Sequence, residues 1–353
     1  MLPIGLSLFS FGYLGGFARR AEEQRRAILS VEQLIALAKR HGLSGIELPL
    51  DRCYPGLPAA SLARLKKHVA DAGLFLSIDA EVVDDDSLPT MLESAGRFGE
   101  SFVRVKLSKT LGGSRYLSHA DPDGWFAHTR QRLTRVAPMA RDRGMTLAIE
   151  NHQDVTSHEL LRLIDAVGED VLGVNLDTGS ALATCEDPVA FAEAVAPAVR
   201  NVHLKDYRLV RSADGVRLVR CALGAGVVDF TGIFRALERA SAGVRASIEL
   251  GAVVAREVHW LKPEYWRAYP PRDVRELVPF LRLVAARLEP ELDGAWQTPW
   301  EQKRDHAVLE RVELEELFRS VEFLISLGAP LTHGLGGPLG SLAELSGEPA
   351  GVR

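Results

Sequence analysis

The chain has 353 residues, enough for about two ordinary domains or one large α/β barrel with additions. Apolar residues make up 46% and charged residues 25%, which excludes the composition of a disordered chain. Forty-two Lys and Arg against 47 Asp and Glu leave a net charge of −5, so a polyanion binder relying on clustered basic residues is excluded.

In chain order, short β-rich runs alternate with longer helical patterns. A strand is expected over Pro3–Ser10, then a helix over Val31–Lys39 whose Val31, Leu34, Ile35 and Ala38 share one face. Next come a strand at Gly45–Pro49, a helix at Ala60–Ala72 and a strand at Leu74–Asp79. A helix at Leu88–Phe98, a strand at Phe102–Leu107 and a helix from Gly124 to Arg143 complete the first half. The second half places strands at Thr146–Glu150, Leu172–Asp177, Val199–Lys205 and Arg245–Glu249. Helices at Ser157–Val167, Pro188–Ala194 and Thr231–Ala240 fill its gaps. Eight strands in βα rhythm close most simply into a (β/α)8 TIM barrel. An open doubly wound sheet would carry a Gly-rich phosphate loop after its first strand, and none is present.

Residues 1–292 are therefore expected to form the barrel, with Asp273–Leu288 as its last helix. Residues 293–353 read as a C-terminal helical extension, with a helix over Glu301–Leu327 and a loose Gly/Pro-rich tail or partner-contacting arm from Gly328. The three cysteines, Cys53, Cys185 and Cys221, form no C-x-x-C and fit a reducing compartment. The apolar start lacks the basic residues of a secretory leader, since the first charge is Arg19. No uncharged run reaches the roughly 20 residues needed to span a bilayer, so a cytoplasmic enzyme without a membrane partner is expected.

Functional residues of such barrels project from the C-terminal ends of the strands. The last four strands end in Glu150, Asp177, His203 and Glu249, which would converge at one point of the barrel mouth. Three carboxylates and an imidazole make a hard site of net charge −3, and a divalent cation is the natural compensation. The ligand mix favours Mn²⁺, Mg²⁺ or Co²⁺, one per chain, over structural zinc.

The runs IENHQD (Ile149–Asp154), NLDTGS (Asn175–Ser180), VHLKD (Val202–Asp206) and IELG (Ile248–Gly251) resemble the metal-site strands of xylose-isomerase-like sugar isomerases and epimerases. LGAGVVDF (Leu223–Phe230) is similar to the Gly-x-Gly-x-x-Asp-Phe run of the same superfamily. The resemblance implies a single ion on Glu150, Asp177, His203 and Glu249, with Glu150 and Glu249 exchanging a proton with a keto-sugar. A metal-stabilised enediolate would form as a carboxylate removes the proton next to the carbonyl. Arg220 stands where the epimerases carry a substrate-binding arginine, or else is a solvated loop charge.

Ser180 replaces a substrate-contacting histidine of the ketose 3-epimerases. His152, two residues beyond Glu150, resembles the base of lyase-type members, the dehydratases and the C-glycoside-cleaving enzymes, or else hydrogen-bonds around the site. Lys106, Glu47, Lys205 and Asp206 are further polar candidates at strand ends. Trp260 and Trp266 could stack a sugar or pack beneath a loop, and Phe9, Phe11 and Tyr13 invite the same two readings.

The leading expectation is a metal-dependent sugar isomerase or epimerase; the alternative is a lyase of the same family, eliminating from a 3-keto-glycoside or dehydrating. A three-zinc nuclease of the same fold would need more histidines. The resemblance implies a small sugar or glycoside as substrate, and no nucleic-acid partner is expected. The family's habits imply a homo-oligomer, with a separate small subunit in some glycoside-cleaving relatives.

Overall fold

The computed structural model describes residues 2–18, 20, 28–49, 59–82, 88–119, 121–331 and 337–346. Through the first half run β1 (Ile4–Ser7), α1 (Val31–Arg40), β2 (Gly45–Pro49), α2 (Ala59–Asp71), β3 (Phe75–Val82), α3 (Leu88–Phe98) and β4 (Phe102–Lys106). There follow α4 (Arg115–Ser118), α5 (Pro122–Asp142), β5 (Thr146–Glu150), α6 (Ser157–Val167), β6 (Leu172–Asp177), α7 (Pro188–Val195) and β7 (Val199–Leu204). The remainder holds β8 (Tyr207–Ser212), β9 (Gly215–Arg220), α8 (Phe230–Leu237), β10 (Arg245–Ile248), β11 (Arg256–Val258), α9 (Pro263–Arg267), α10 (Val274–Arg287), β12 (Leu288–Glu289) and α11 (His306–Ser326).

Strands β1 to β7 and β10 pair in parallel and close a barrel, with β10 joining β7 to β1. The barrel expected from the βα rhythm is the one observed. Its helices begin where local chemistry says they should. Ser30 and Gln33 form a reciprocal capping box on α1, as do Thr156 and Glu159 on α6. Each such cap stabilises its helix by about 1 kcal/mol.

Alternation along the strands explains the barrel's unusual filling. In β5, Leu147 and Ile149 alternate with Ala148 and Glu150; in β7, Val202 and Leu204 alternate with Asn201 and His203. The apolar sets join the main core, while the other parity carries residues that meet inside the barrel. Asn201 Nδ2 donates to Asn175 Oδ1 at 2.6 Å and to Glu47 Oε2 at 3.2 Å, and Ser247 Oγ donates to the same Glu47 oxygen. The upper interior is thus a hydrogen-bonded polar network where branched apolar residues usually pack.

Several features depart from the sequence expectations. The first strand ends at Ser7, whose hydroxyl accepts from Phe9 N–H and turns the chain into a short 3-10 turn, Leu8–Ser10. Hairpin β8–β9, with β11 and β12, builds an unforeseen four-stranded sheet in the order β11-β9-β8-β12. Gly215 is required there: a Cβ would stand 2.1 Å from Val258 O. The helix expected from Glu301 starts at His306, because Asp305 caps it by accepting from Val308 N–H.

Of the tail expected to be loose, residues 332–336 and 347–353 lie outside the described residues. Leu331 and Leu339 are buried in the main core, so these two residues pack with the barrel. Among the described residues, no helix is long and apolar enough to cross a membrane.

Candidate active site

The register of the second-half strands sets the site. Asp177 pairs with His203, His203 pairs with Ser247, and Glu150 pairs with Asn175, so the strand ends lie side by side. Donor atoms of Glu150, Asp177, His203 and Glu249 all lie within 4.8 Å of one another, and all four residues are buried. His203 Nδ1 stands 2.5 Å from Glu249 Oε2 and 3.5 Å from Glu150 Oε2. Glu150 Oε1 is buried without a hydrogen-bond partner. An orphaned carboxylate oxygen amid oxygen donors and one imidazole fits a divalent cation. The second-half strand ends converge as their sequence positions imply.

The charge balance differs from that expected. Two buried cations neutralise part of the carboxylate charge. Lys205 Nζ lies 2.8 Å from Asp177 Oδ2 and 2.7 Å from Glu249 Oε1. Arg104, on β4, ion-pairs with Glu150 and lies 3.9 Å from Asp79 Oδ1. Burial alone would raise the Glu249 carboxyl, but Lys205 and His203 hold it well below the usual range. Asp79 goes the other way, because burial and the neighbouring Glu47 outweigh Arg104. The sequence reading singled out Lys106 but missed Arg104, although both share the inward parity of β4.

Asn151, also missed, ties the ends of β5 and β6. Its side chain accepts from Asp177 N–H at 2.7 Å and donates to Asp177 O at 3.0 Å. The backbone N–H groups of Gly179 and Ser180 each donate to Asp177 Oδ1 at 3.0 Å, while the Ser180 hydroxyl is buried without a partner. Asp206 closes the glycine loop: its carboxylate accepts from the N–H groups of Tyr207, Gly224, Gly226 and Val228.

Above this cluster opens a cavity of about 290 Å³ whose wall includes Phe9, Lys106, His152, Lys205, Glu249 and Arg256. That is near the lower end of small-molecule sites, roughly 300–1,000 Å³, and suits a monosaccharide better than a polymer. His152 Nδ1 is buried without a hydrogen-bond partner. Burial, Lys106 and Arg104 hold this imidazole well below its ordinary value, which favours its neutral form. Phe9 packs against Phe17 in a tilted pair, 4.5 Å between ring centroids. Phe11 and Tyr13 are core residues.

Two expected contacts lie elsewhere. Arg220 points to α11, with Nη2 2.6 Å from Glu316 Oε2 and Nη1 3.6 Å from Glu313 Oε1. It is a buried tie to the C-terminal helix, not a solvated loop charge, and it does not line the cavity. Trp260 meets Phe280 edge-on at 6.0 Å in a second apolar cluster, and its carbonyl accepts from Trp266 Nε1. Of the two readings left open for these tryptophans, packing is the one observed.

The model of the xylose isomerase-like TIM barrel family matches residues 35–264. The 3-oxo-isoapionate decarboxylase of Pectobacterium atrosepticum is 22% identical over 269 residues, 76% of this chain and 88% of that protein. An inosose dehydratase of Clostridium beijerinckii is 28% identical over 120 residues, 30% of this chain and 40% of that protein. A solved xylose isomerase-like TIM barrel protein from Mycobacterium smegmatis, in complex with magnesium, shares the fold at a TM-score of 0.53. It is 19% identical, and the match covers 81% of this chain and 97% of that one. With 230 matched residues, well over half of its length, the chain belongs to the xylose isomerase-like TIM barrel family.

Proposed function

We propose that the protein is a divalent-metal-dependent enzyme that removes the proton next to a carbonyl of a sugar-type substrate and then releases a substituent, as a lyase does. The observation that carries this reading is His152: a buried imidazole nitrogen without a partner, on the wall of the same cavity as Glu249. Glu150, Asp177, His203 and Glu249 would hold the ion, with Mn²⁺, Mg²⁺ or Co²⁺ suited to so oxygen-rich a set. When bound, the ion polarises the carbonyl and its neighbouring hydroxyl and so acidifies the C–H between them.

His152 then takes the proton, which leaves an enediolate in the cavity. Lys106 flanks that space, and its positive charge favours the developing oxyanion. Expulsion of a substituent from the adjacent carbon restores the carbonyl and completes the elimination. Two-base epimerisation needs a second carboxylate facing the substrate. Glu150, the candidate, is buried, has one oxygen ion-paired with Arg104 and, like Asp177 and His203, does not line the cavity. The dehydratase among the relatives supports the same reading, and the decarboxylase is a lyase that reaches an enolate by breaking a C–C bond instead.

The isomerase or epimerase reading remains the competitor, because Glu249 lines the cavity as an ionised carboxylate. Incubation of Mn²⁺-loaded protein with keto-sugars in D₂O separates the two. Deuterium wash-in accompanied by an unsaturated or shortened product supports the lyase. Wash-in with only stereoisomers recovered overturns it in favour of the epimerase. Full exchange by His152→Ala removes His152 from the base role.

A further inference from the structure

We infer that the substrate carries a carboxylate and that Arg256, with Lys106 and Lys109, receives it. This rests on the cavity being the substrate site. Among the described residues its wall presents four cations, Lys106, Lys109, Lys205 and Arg256, against one acidic side chain, Glu249. Lys205 and Glu249 neutralise each other at 2.7 Å, so among the described residues Lys109 and Arg256 still tilt the wall towards positive charge. Arg256 Nε is buried with no hydrogen-bond partner. Arg256 is half-buried, and a neutral sugar would leave its buried Nε–H without an acceptor, which is unfavourable. A carboxylate would satisfy it through the two-pronged geometry that arginine offers and lysine does not.

The position of Arg256 has a structural cause. It lies on β11, which pairs with β9 through Arg256 and Leu218 and belongs to the small added sheet, not to the barrel. The sheet therefore brings a cation to the mouth that the eight barrel strands do not supply. A phosphate ester is the other anionic class, but the usual phosphate cradle of such barrels is already filled. The loop amides after the seventh barrel strand, Gly224, Gly226 and Val228, donate at 3.0, 2.9 and 3.1 Å to Asp206. With those donors taken by the chain's own carboxylate, the single guanidinium and two ammonium groups suit a planar, singly charged acid.

The test is calorimetric titration of Mg²⁺-loaded protein with D-gluconate, D-glucitol and D-glucitol 6-phosphate at constant ionic strength. Protein-free titrations of Mg²⁺ with each probe are subtracted. Gluconate is expected to bind at least about tenfold tighter than glucitol, the same chain without the charge, and tighter than the phosphate. In Arg256→Gln that preference should fall below about threefold, and in Arg256→Lys it should be only partly restored. Equal affinity for gluconate and glucitol, no binding of either by the loaded protein, or an undiminished preference in Arg256→Gln would overturn the assignment. Tighter binding of the phosphate would replace the carboxylate with a phosphate ester. Mg²⁺ affinity is measured on the same samples, and its loss would count against the metal centre alone, since Arg256 is not among the candidate ligands.

Discussion

Glu47 and His203 meet inside the barrel, Glu47 Oε1 standing 2.9 Å from His203 Nε2. The other ring nitrogen, Nδ1, faces Glu150 and Glu249. With Glu47 beside Nε2, the ring is held so that Nδ1 would be the nitrogen offered to a cation held by Glu150, Asp177 and Glu249. Glu47 is itself held by Asn201 and Ser247, so the ring's support is anchored on three strands.

We propose Glu47 accordingly as a positioning residue. Glu47→Ala should weaken Mn²⁺ binding to chelator-treated protein by about 10–100-fold, while Glu47→Gln, which keeps an oxygen acceptor, should recover much of it. Titration monitored by calorimetry measures both. An affinity in Glu47→Ala equal to that of the parent would show that the contact does not orient His203.

The proposed base and a proposed ligand should separate cleanly. His152→Ala is expected to lower turnover by about 10²–10⁴-fold with Mn²⁺ affinity preserved, because His152 is not in the ligand cluster. Glu249→Gln should lose both turnover and metal affinity with unchanged circular dichroism. Metal content per chain and the rate of deuterium exchange read the two effects independently, and near-parental exchange in Glu249→Gln would sink the mechanism.

Arg115 and Glu159 form a sealed ion pair, with Nη1 2.8 Å from Oε1 and both side chains almost fully buried. The guanidinium also lies over the rings of Trp125 and Tyr269, each 4.6 Å from its centroid. Arg115→Met removes the cation and strands a buried carboxylate that also caps α6, which should lower stability by about 3–5 kcal/mol. Adding Glu159→Gln should return part of that loss. Urea unfolding tests it, and a loss no larger than that of an exposed pair would refute it.

Glu313, on α11, accepts from the N–H groups of Tyr13 and Leu14 at 2.8 and 2.9 Å and so pins the loop that carries the cavity's Phe9 and Phe17. Burial raises its carboxyl from the ordinary 4.5 to about 7, although Arg220 and the two amides oppose the shift. Between those values the folded chain keeps a proton that the unfolded chain has lost. Stability from this group therefore falls as pH rises through that window and is level above it. The stability of Glu313→Gln relative to the parent should rise with pH by up to about 1.4 kcal/mol per unit between about pH 5 and 7. Urea titrations at three pH values measure this; a difference independent of pH would exclude the shift.

The barrel was legible because alternation and βα spacing are local properties, and each strand end could be counted along the chain. Glu150, Asp177, His203 and Glu249 were legible for the same reason, since parallel pairing places consecutive strand ends side by side. Hairpin β8–β9 left a readable signal, alternating residues around Asp214-Gly215, that the eight-strand count passed over. Arg104 and Asn151 were harder to assign, because polar residues on strands are ordinarily solvated and only convergence makes them partners of Glu150 and Asp177.

The sequence alone thus determined the strand order, the inward parity and the acidic set. The tertiary structure decided what balances that set and what walls the cavity. Lys205 reaches across to Asp177 and Glu249, Arg220 turns away to α11, and β11 delivers Arg256. Each outcome depends on side chains distant in sequence competing for one buried volume, where unpaired charge is costly and the nearest opposite charge wins.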